Sequence, residues 1–195
     1  MSFIDYLNEA KYRKFNPKTL DELKKLVKDN SINLADIDTS KIKDMSYLFS
    51  NVNRNDWSGI ETWNTSFVKD MSGLFSHSNF NGDISNWFTN NVIDMSYMFD
   101  KSIFNGDISK WNVSKVRYMD GMFRNSQFNG DISKWKTSSL ESMNYMFHDS
   151  KFNGDISRWD VSNVQVSVYI YKTIFKGSPL RVWYRPKFNG IEIVN

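Results

Sequence analysis

Apolar and polar positions recur along this chain with one period. Tryptophan stands at Trp63, Trp87, Trp111, Trp135, Trp159 and Trp183, each 24 residues after the last. Phe-Asn-Gly-Asp-Ile-Ser begins at Phe80, Phe104, Phe128 and Phe152 with the same step. Methionine opens a short apolar cluster at Met45, Met71, Met95, Met119 and Met143, closed by Phe49, Phe75, Phe99, Phe123 and Phe147. An aliphatic residue follows Trp63, Trp87, Trp111, Trp135 and Trp159 by five: Val68, Val92, Val116, Leu140 and Val164. This self-similarity marks a tandem array whose units bury their apolar sides only against one another.

A period of 24 is too short for paired-helix repeats and falls in the leucine-rich range of about 20–29. The pattern predicts an α/β repeat solenoid: a leucine-rich-repeat-like, right-handed coil stack with short strands and short helical turns. Met95, Met98 and Phe99 are spaced three and four apart, which predicts a helical or 3₁₀ turn. Asp83-Ile84-Ser85 and the residues around Val92 read as strand-like segments. Ile84 and Trp87 cannot share one face of a strand, so either the chain turns a corner there or the tryptophan column is exposed. Asn-Gly before Asp-Ile supplies a turn.

The ends depart from the pattern. Thr19-Leu-Asp-Glu22 is a capping box, and Leu20, Leu23, Leu26 and Val27 share one helical face behind it. Phe3, Ile4 and Leu7 also have helical spacing. Residues 1–35 are therefore expected to form a helical N-terminal cap, 36–166 the repeats and 167–195 an irregular C-terminal cap. Ser167 replaces the expected methionine, and Tyr171-Lys-Thr-Ile-Phe175 resembles the lost motif shifted by four. The tail from Trp183 to Val194 alternates and is expected to close the array as a strand.

The pattern Phe-Asn-x-Asp-Ile-Ser-x-Trp-x-x-Ser-x-Val-x-x-Met-x-x-Met-Phe, carried by Phe80–Phe99, Phe104–Phe123 and Phe128–Phe147, resembles the BspA-type leucine-rich repeat family. The resemblance covers about residues 36–166 and is specific for fold. It implies a binding scaffold with no shared catalytic residue; members include surface proteins and adhesins.

Composition narrows the chemistry. Among 195 residues there is no cysteine, which excludes disulfides, thiolate metal sites and a cysteine nucleophile. Only His77 and His148 offer imidazole, so no metal or cofactor is expected. The first residues lack a basic start with an apolar run, and no apolar window approaches the ~18 residues of a membrane span. A cytoplasmic protein without membrane contact is the expectation.

Repeated side chains report folding. Asp83, Asp107, Asp131 and Asp155 form a carboxylate ladder, better suited to accepting turn amides than to holding calcium, because one acid per repeat supplies too few oxygens. A glycosidase pair should be unique rather than repeated; the few non-repeated acids are Asp56, Glu61 and Glu141. The tryptophan, methionine and phenylalanine columns are expected in the core.

Non-repeated side chains report binding. Lys110, Lys134 and Arg158 form a basic stripe before Trp. Phe67, Phe88, Ile93, Ile103 and Tyr118 break the polar custom of their columns and are candidates for partner contact, as is Arg117 in the variable column Lys69, Ile93, Arg117, Glu141, Gln165. The net charge of +3 divides into +1 for residues 1–44, −2 for 45–166 and +4 for 167–195. Lys172, Arg181, Arg185 and Lys187 lie among Tyr169, Tyr171, Trp183 and Tyr184. This basic–aromatic end suits an acidic protein or nucleic acid, but a negative repeat body is a poor match for wrapping DNA. The sequence therefore predicts a non-enzymatic binding protein acting through protein–protein contact, such as a steric inhibitor of a cellular complex or an anti-defence protein of a mobile element. The alternative is an adhesin-like or carbohydrate-binding module, which requires an exposed tryptophan column. Oligomeric state is not legible.

Overall fold

Short polar residues set the local backbone. The computed structural model describes residues 13–190. In each repeat the amides of Ser85, Ser109, Ser133 and Ser157 donate to Oδ1 of Asp83, Asp107, Asp131 and Asp155 at 2.9 Å. The tryptophan amide then donates back to the isoleucine carbonyl, Trp87 to Ile84 at 3.1 Å for one. A chain closed twice over so short a stretch is a turn. Ile84 and Trp87 thus flank a corner, and both are buried.

The α/β expectation is overturned. Among the described residues no strand forms: the parallel contacts are isolated bridges from Phe15 to Ile37 and along Asp44, Asp70, Asp94, Tyr118 and Ser142. Helix among the described residues is confined to α1 (Leu20–Lys28), α2 (Val168–Phe175) and single 3₁₀ turns at Leu34–Asp36, Ile60–Thr62 and Val182–Tyr184. The supposed strand near Val92 is another turn, with Val92 N–H donating to the Thr89 carbonyl at 3.0 Å. The methionine segment begins with a tight turn, Met98 N–H donating to the Met95 carbonyl at 3.3 Å. Tyr97 and Lys101, however, adopt φ of 57° and 52°, left-handed backbone that neither helix nor strand continues.

That alternation turns backbone donors toward the next repeat. Met95, Tyr97, Phe99 and Lys101 donate to the carbonyls of Tyr118, Asp120, Met122 and Arg124 at 2.8–2.9 Å. Met71, Gly73, Phe75 and His77 do the same one repeat earlier. The units are therefore stacks of turns, and a ladder of backbone bonds holds each of these junctions.

Identical side chains superpose along the stack. Phe75, Phe99, Phe123 and Phe147 form one column with ring centroids 5.8 Å apart, and Phe80, Phe104, Phe128 and Phe152 a second at 5.7–6.2 Å. Each indole reaches one repeat back: Nε1 of Trp87, Trp111, Trp135 and Trp159 donates to the carbonyl of Ile60, Ile84, Ile108 and Ile132 at 3.0–3.2 Å. A buried tryptophan needs such a partner, and the step to the previous turn supplies it.

The ends follow different rules. In α1, Thr19 Oγ1 accepts from Glu22 N–H at 3.2 Å, while the Glu22 carboxylate accepts from Lys18 N–H at 2.7 Å. Leu23 and Val27 join the core. The helical spacing of Phe3, Ile4 and Leu7 lies outside the described residues. At the other end the four-residue shift is real: Phe175 of α2 stacks on Phe147 at 6.1 Å, and Phe147 N–H donates to the Ile174 carbonyl at 3.0 Å. The expected closing strand does not form over the described part of the tail, where Val182–Tyr184 is a 3₁₀ turn. Ile191–Val194 lie outside the described residues.

Candidate functional site

The columns four and six residues after Trp lie together on one face. Their backbone is fixed first: the amides of Ile93, Arg117 and Glu141 donate to the carbonyls of Lys69, Ile93 and Arg117 at 2.8 Å. Side chains then bridge repeats. Asn91 Nδ2 donates to the Ser66 carbonyl at 2.8 Å, Lys115 Nζ to Asn91 Oδ1 at 2.8 Å and Asn163 Nδ2 to the Ser138 carbonyl at 2.8 Å. Arg117 forks onto Glu141 at 2.6 and 2.7 Å, and its guanidinium lies 5.2 Å from the Tyr118 ring centroid. That pairing holds the Glu141 carboxyl below the usual glutamate range, with the Arg117 hydrogen bond as the main cause.

Ile93, Lys115, Arg117, Ser138, Ser139, Glu141 and Asn163 line an open depression of about 480 Å³. Phe67, 52% exposed, follows Ser66 in the chain and does not line the depression. Phe88 and Ile103 are also exposed and do not line it. Ile93, the exposed apolar side chain that does line it, is one that does not repeat.

The basic stripe is less free than its column suggests. Lys110, Lys134 and Arg158 are exposed, yet they act on the aspartate ladder beside them. The carboxyls of Asp83, Asp107 and Asp155 sit below the usual range, first because of the Ser85, Ser109 and Ser157 amides; for Asp131 the Ser133 hydroxyl leads. Lys110, Lys134 and Arg158 add a smaller pull in the same direction. Each cation thus stands near an acid. The ladder itself caps turns, and no group of three or more acids and histidines among the described residues is placed to hold a metal.

At the C-terminal end Lys172 and Arg185 come together with Tyr169, Tyr171, Thr173, Phe175 and Lys176 around a second depression of about 460 Å³. Arg185 is half-buried: it lies 4.7 Å from the Phe175 centroid and donates Nη2 to the Leu180 carbonyl at 2.9 Å. It braces the end as well as charging it. Arg181 lies over the exposed Trp183 at 5.6 Å, and neither it nor exposed Lys187 lines this depression.

The exposed-tryptophan alternative loses its footing. Trp63, Trp87, Trp111, Trp135 and Trp159 are only 3–4% exposed, so this column presents no platform to a sugar. The non-repeated acids are locally engaged: Asp56 Oδ1 accepts from Ser58 N–H at 2.8 Å, Glu61 from Gly59 N–H at 2.9 Å and Glu141 from Arg117.

Sequence reasoning missed Arg54. It is 2% exposed and donates Nη1 to the Val27 and Asp29 carbonyls and Nη2 to that of Ile32, closing the C-terminal end of α1. Its departure from the later repeats was the only available signal. No helix among the described residues is long and apolar enough to cross a membrane.

A family model described as "Mycoplasma protein of unknown function, DUF285" matches residues 18–126 and again 100–183. No curated protein and no solved structure matches the chain.

Proposed function

The chain belongs to the DUF285 family, and from that premise we propose that it is a non-enzymatic binding protein whose partner is another protein. Within that family we read its Phe-Asn-Gly-Asp-Ile-Ser units as of the BspA type, on the motif alone. The observation that carries the functional reading is that Ile93 and Arg117 line one open depression with Tyr118 beside Arg117, Ile93 and Tyr118 being breaks in their columns.

Such a face suits docking for a physical reason. Backbone ladders and side-chain bridges hold it before any partner arrives, so little ordering entropy is lost on association. Exposed Ile93 supplies an apolar anchor, and Arg117 supplies a planar cation already supported by Tyr118 and Glu141. The mode of action is steric occupation of the partner, as an inhibitor or modulator of a complex.

The test uses the full chain as bait in host cytosol beside Ile93→Asp and Arg117→Ala variants. Lys25→Ala, on the exposed side of α1 and away from the face, is the control. A protein retained by the parent and by the control, and bound about 2 kcal/mol more weakly by the Ile93 variant, supports the reading. Equal retention by all variants overturns it.

A further inference from the structure

The C-terminal end differs from the repeats in charge and in what it exposes. Residues 167–190 contain Lys172, Lys176, Arg181, Arg185 and Lys187 and no Asp or Glu. In α2, Val168 and Tyr169 are 57% and 72% exposed, while Tyr171, Ile174 and Phe175 turn into the core. The exposed side of this helix therefore carries Val168, Tyr169 and Lys172, with Lys176 just beyond its end. An aromatic floor of Tyr171 and Phe175 and a cationic wall of Lys172, Lys176 and Arg185 enclose the second depression.

The cations there are unneutralised among the described residues. Lys172 and Lys176 form no ion pair, and Arg185 uses Nε and Nη2 on the Leu180 carbonyl, leaving Nη1 without a hydrogen bond. Asp149 approaches from the last repeat, its amide donating to the Lys176 carbonyl at 2.7 Å; its carboxylate lies against Gly177 and 3.0 Å from His148 Nδ1 and forms no ion pair with Lys172 or Lys176. Arg117 and Arg124 of the repeats, by contrast, are each paired with an acid one repeat away, Glu141 and Asp100.

We propose that this end is a second docking site, which takes an acidic segment of a partner protein: Lys172, Lys176 and Arg185 receive its carboxylates, and Tyr169 lies against its apolar side chains. Charge complementarity selects an anionic occupant. The apolar exposure selects protein over nucleic acid, because Val168 and Val182 offer nothing to a phosphate backbone. The repeat body beside it carries a net charge of −2, which repels an extended polyanion while leaving a short acidic segment free to meet the end alone. The site shares no residue with the repeat face, so each proposal stands or falls by itself.

The experiment uses the full chain and a fluorescein-labelled peptide of alternating glutamate and phenylalanine, read by fluorescence anisotropy. Comparison probes are the same peptide with glutamine for glutamate and a single-stranded oligonucleotide of equal length. The glutamate peptide should bind, weaken as salt rises, and lose about tenfold or more in affinity with Lys172→Glu and Lys176→Glu combined. Both lysines are exposed, so these changes leave the core intact. The Lys172→Gln, Lys176→Gln pair checks the result without charge reversal and should show a smaller loss. Arg185 is left in place because it braces Phe175. Failure of the peptide to bind, parental affinity in both double variants, or equal binding of the glutamine peptide overturns the proposal. Tighter binding of the oligonucleotide, lost with the same lysines, also overturns it and assigns the end to nucleic acid.

Discussion

The ring of Tyr97 occupies the space above Gly121, so a methyl group placed on Gly121 would come within 2.5 Å of Tyr97 Cε1. Both residues have φ of 57°, and both hold the same place in successive repeats. Tyr47 covers Gly73 in the same way. Tyrosine and glycine thus alternate at Tyr47, Gly73, Tyr97, Gly121 and Tyr145, and the left-handed position that the ladder needs is filled by a bulky residue only where its neighbour has no side chain. Arg124 closes over Tyr97 at 5.3 Å.

This relationship predicts coupling. Gly121→Ala should destabilise the chain by about 1–3 kcal/mol, combining the cost of a side chain in left-handed backbone with displacement of the tyrosine. Removing the ring with Tyr97→Ala should relieve the second part, giving a coupling of about 0.5–3 kcal/mol in a double-mutant cycle measured by urea unfolding. Additive losses would show that the ring and the glycine act independently.

Arg54 gives a sharper test of the N-terminal end. Its guanidinium satisfies the carbonyls of Val27, Asp29 and Ile32 from a buried position. Arg54→Leu should cost about 3–5 kcal/mol, because several carbonyls lose a charged donor together. Arg54→Lys should recover little, since one ammonium cannot reproduce the fork. Urea unfolding checks both; a loss below about 1 kcal/mol for the leucine variant contradicts the assigned role.

The columns were legible from spacing because stacking puts identical residues against one another. Trp87, Phe80 and Met95 sit in the core as their periodicity implied. The four-residue shift at Phe175 was legible for the same reason. The strands were misread at Asp83-Ile84-Ser85 because Asx turns compete with the extended backbone that isoleucine favours. Tyr97 in left-handed backbone had no signal in its own residue type; the clue was its alternation with glycine. Arg54 was hidden because its function depends on contacts 22 to 27 residues away. On the docking face, the pairing of Arg117 with Glu141 follows the 24-residue step, but the burial that decides which variable residues gather does not.

Acid should loosen the stack through its aspartate ladder. The carboxyls of Asp83, Asp107, Asp131 and Asp155 are held below the ordinary value in the folded chain. Their stabilisation is therefore fully present above the unfolded value of about 3.9 and is lost as pH falls through the lower folded values. Asparagine keeps the turn, as Asn64 and Asn112 already do by accepting from Ser66 and Ser114 N–H at 3.0 Å. A variant with asparagine at all four positions should show a flatter fall in Tm below pH ~4 than the parent. Parallel acid curves would mean that other carboxylates control the transition.

The indoles divide by access. Trp183 is 67% exposed and Trp57 partly buried, whereas the five tryptophans of the repeated column are buried. Iodide should therefore quench only a minor part of the tryptophan emission, and Trp183→Phe should remove most of that part. Extensive quenching in the variant would place the column at the surface.

Two bidentate pairs, each spanning one repeat, differ mainly in burial. Arg124 donates to Asp100 at 2.9 and 2.7 Å, with the Asp100 side chain only 3% exposed. Arg117 donates to Glu141 at 2.6 and 2.7 Å, with side chains 48% and 41% exposed. Removing Arg124 strands a buried carboxylate, so Arg124→Ala should cost about 3–5 kcal/mol in urea unfolding. Water replaces Arg117 at Glu141, so Arg117→Ala should cost less than about 1 kcal/mol. Arg124→Ala and Asp100→Ala together should recover part of the loss, because the unpaired charge is gone. If the two single variants cost the same, burial does not separate the pairs. If they separate as stated, Arg117 is a residue whose removal tests partner binding while the fold stays in place, which is what the docking reading of its face requires.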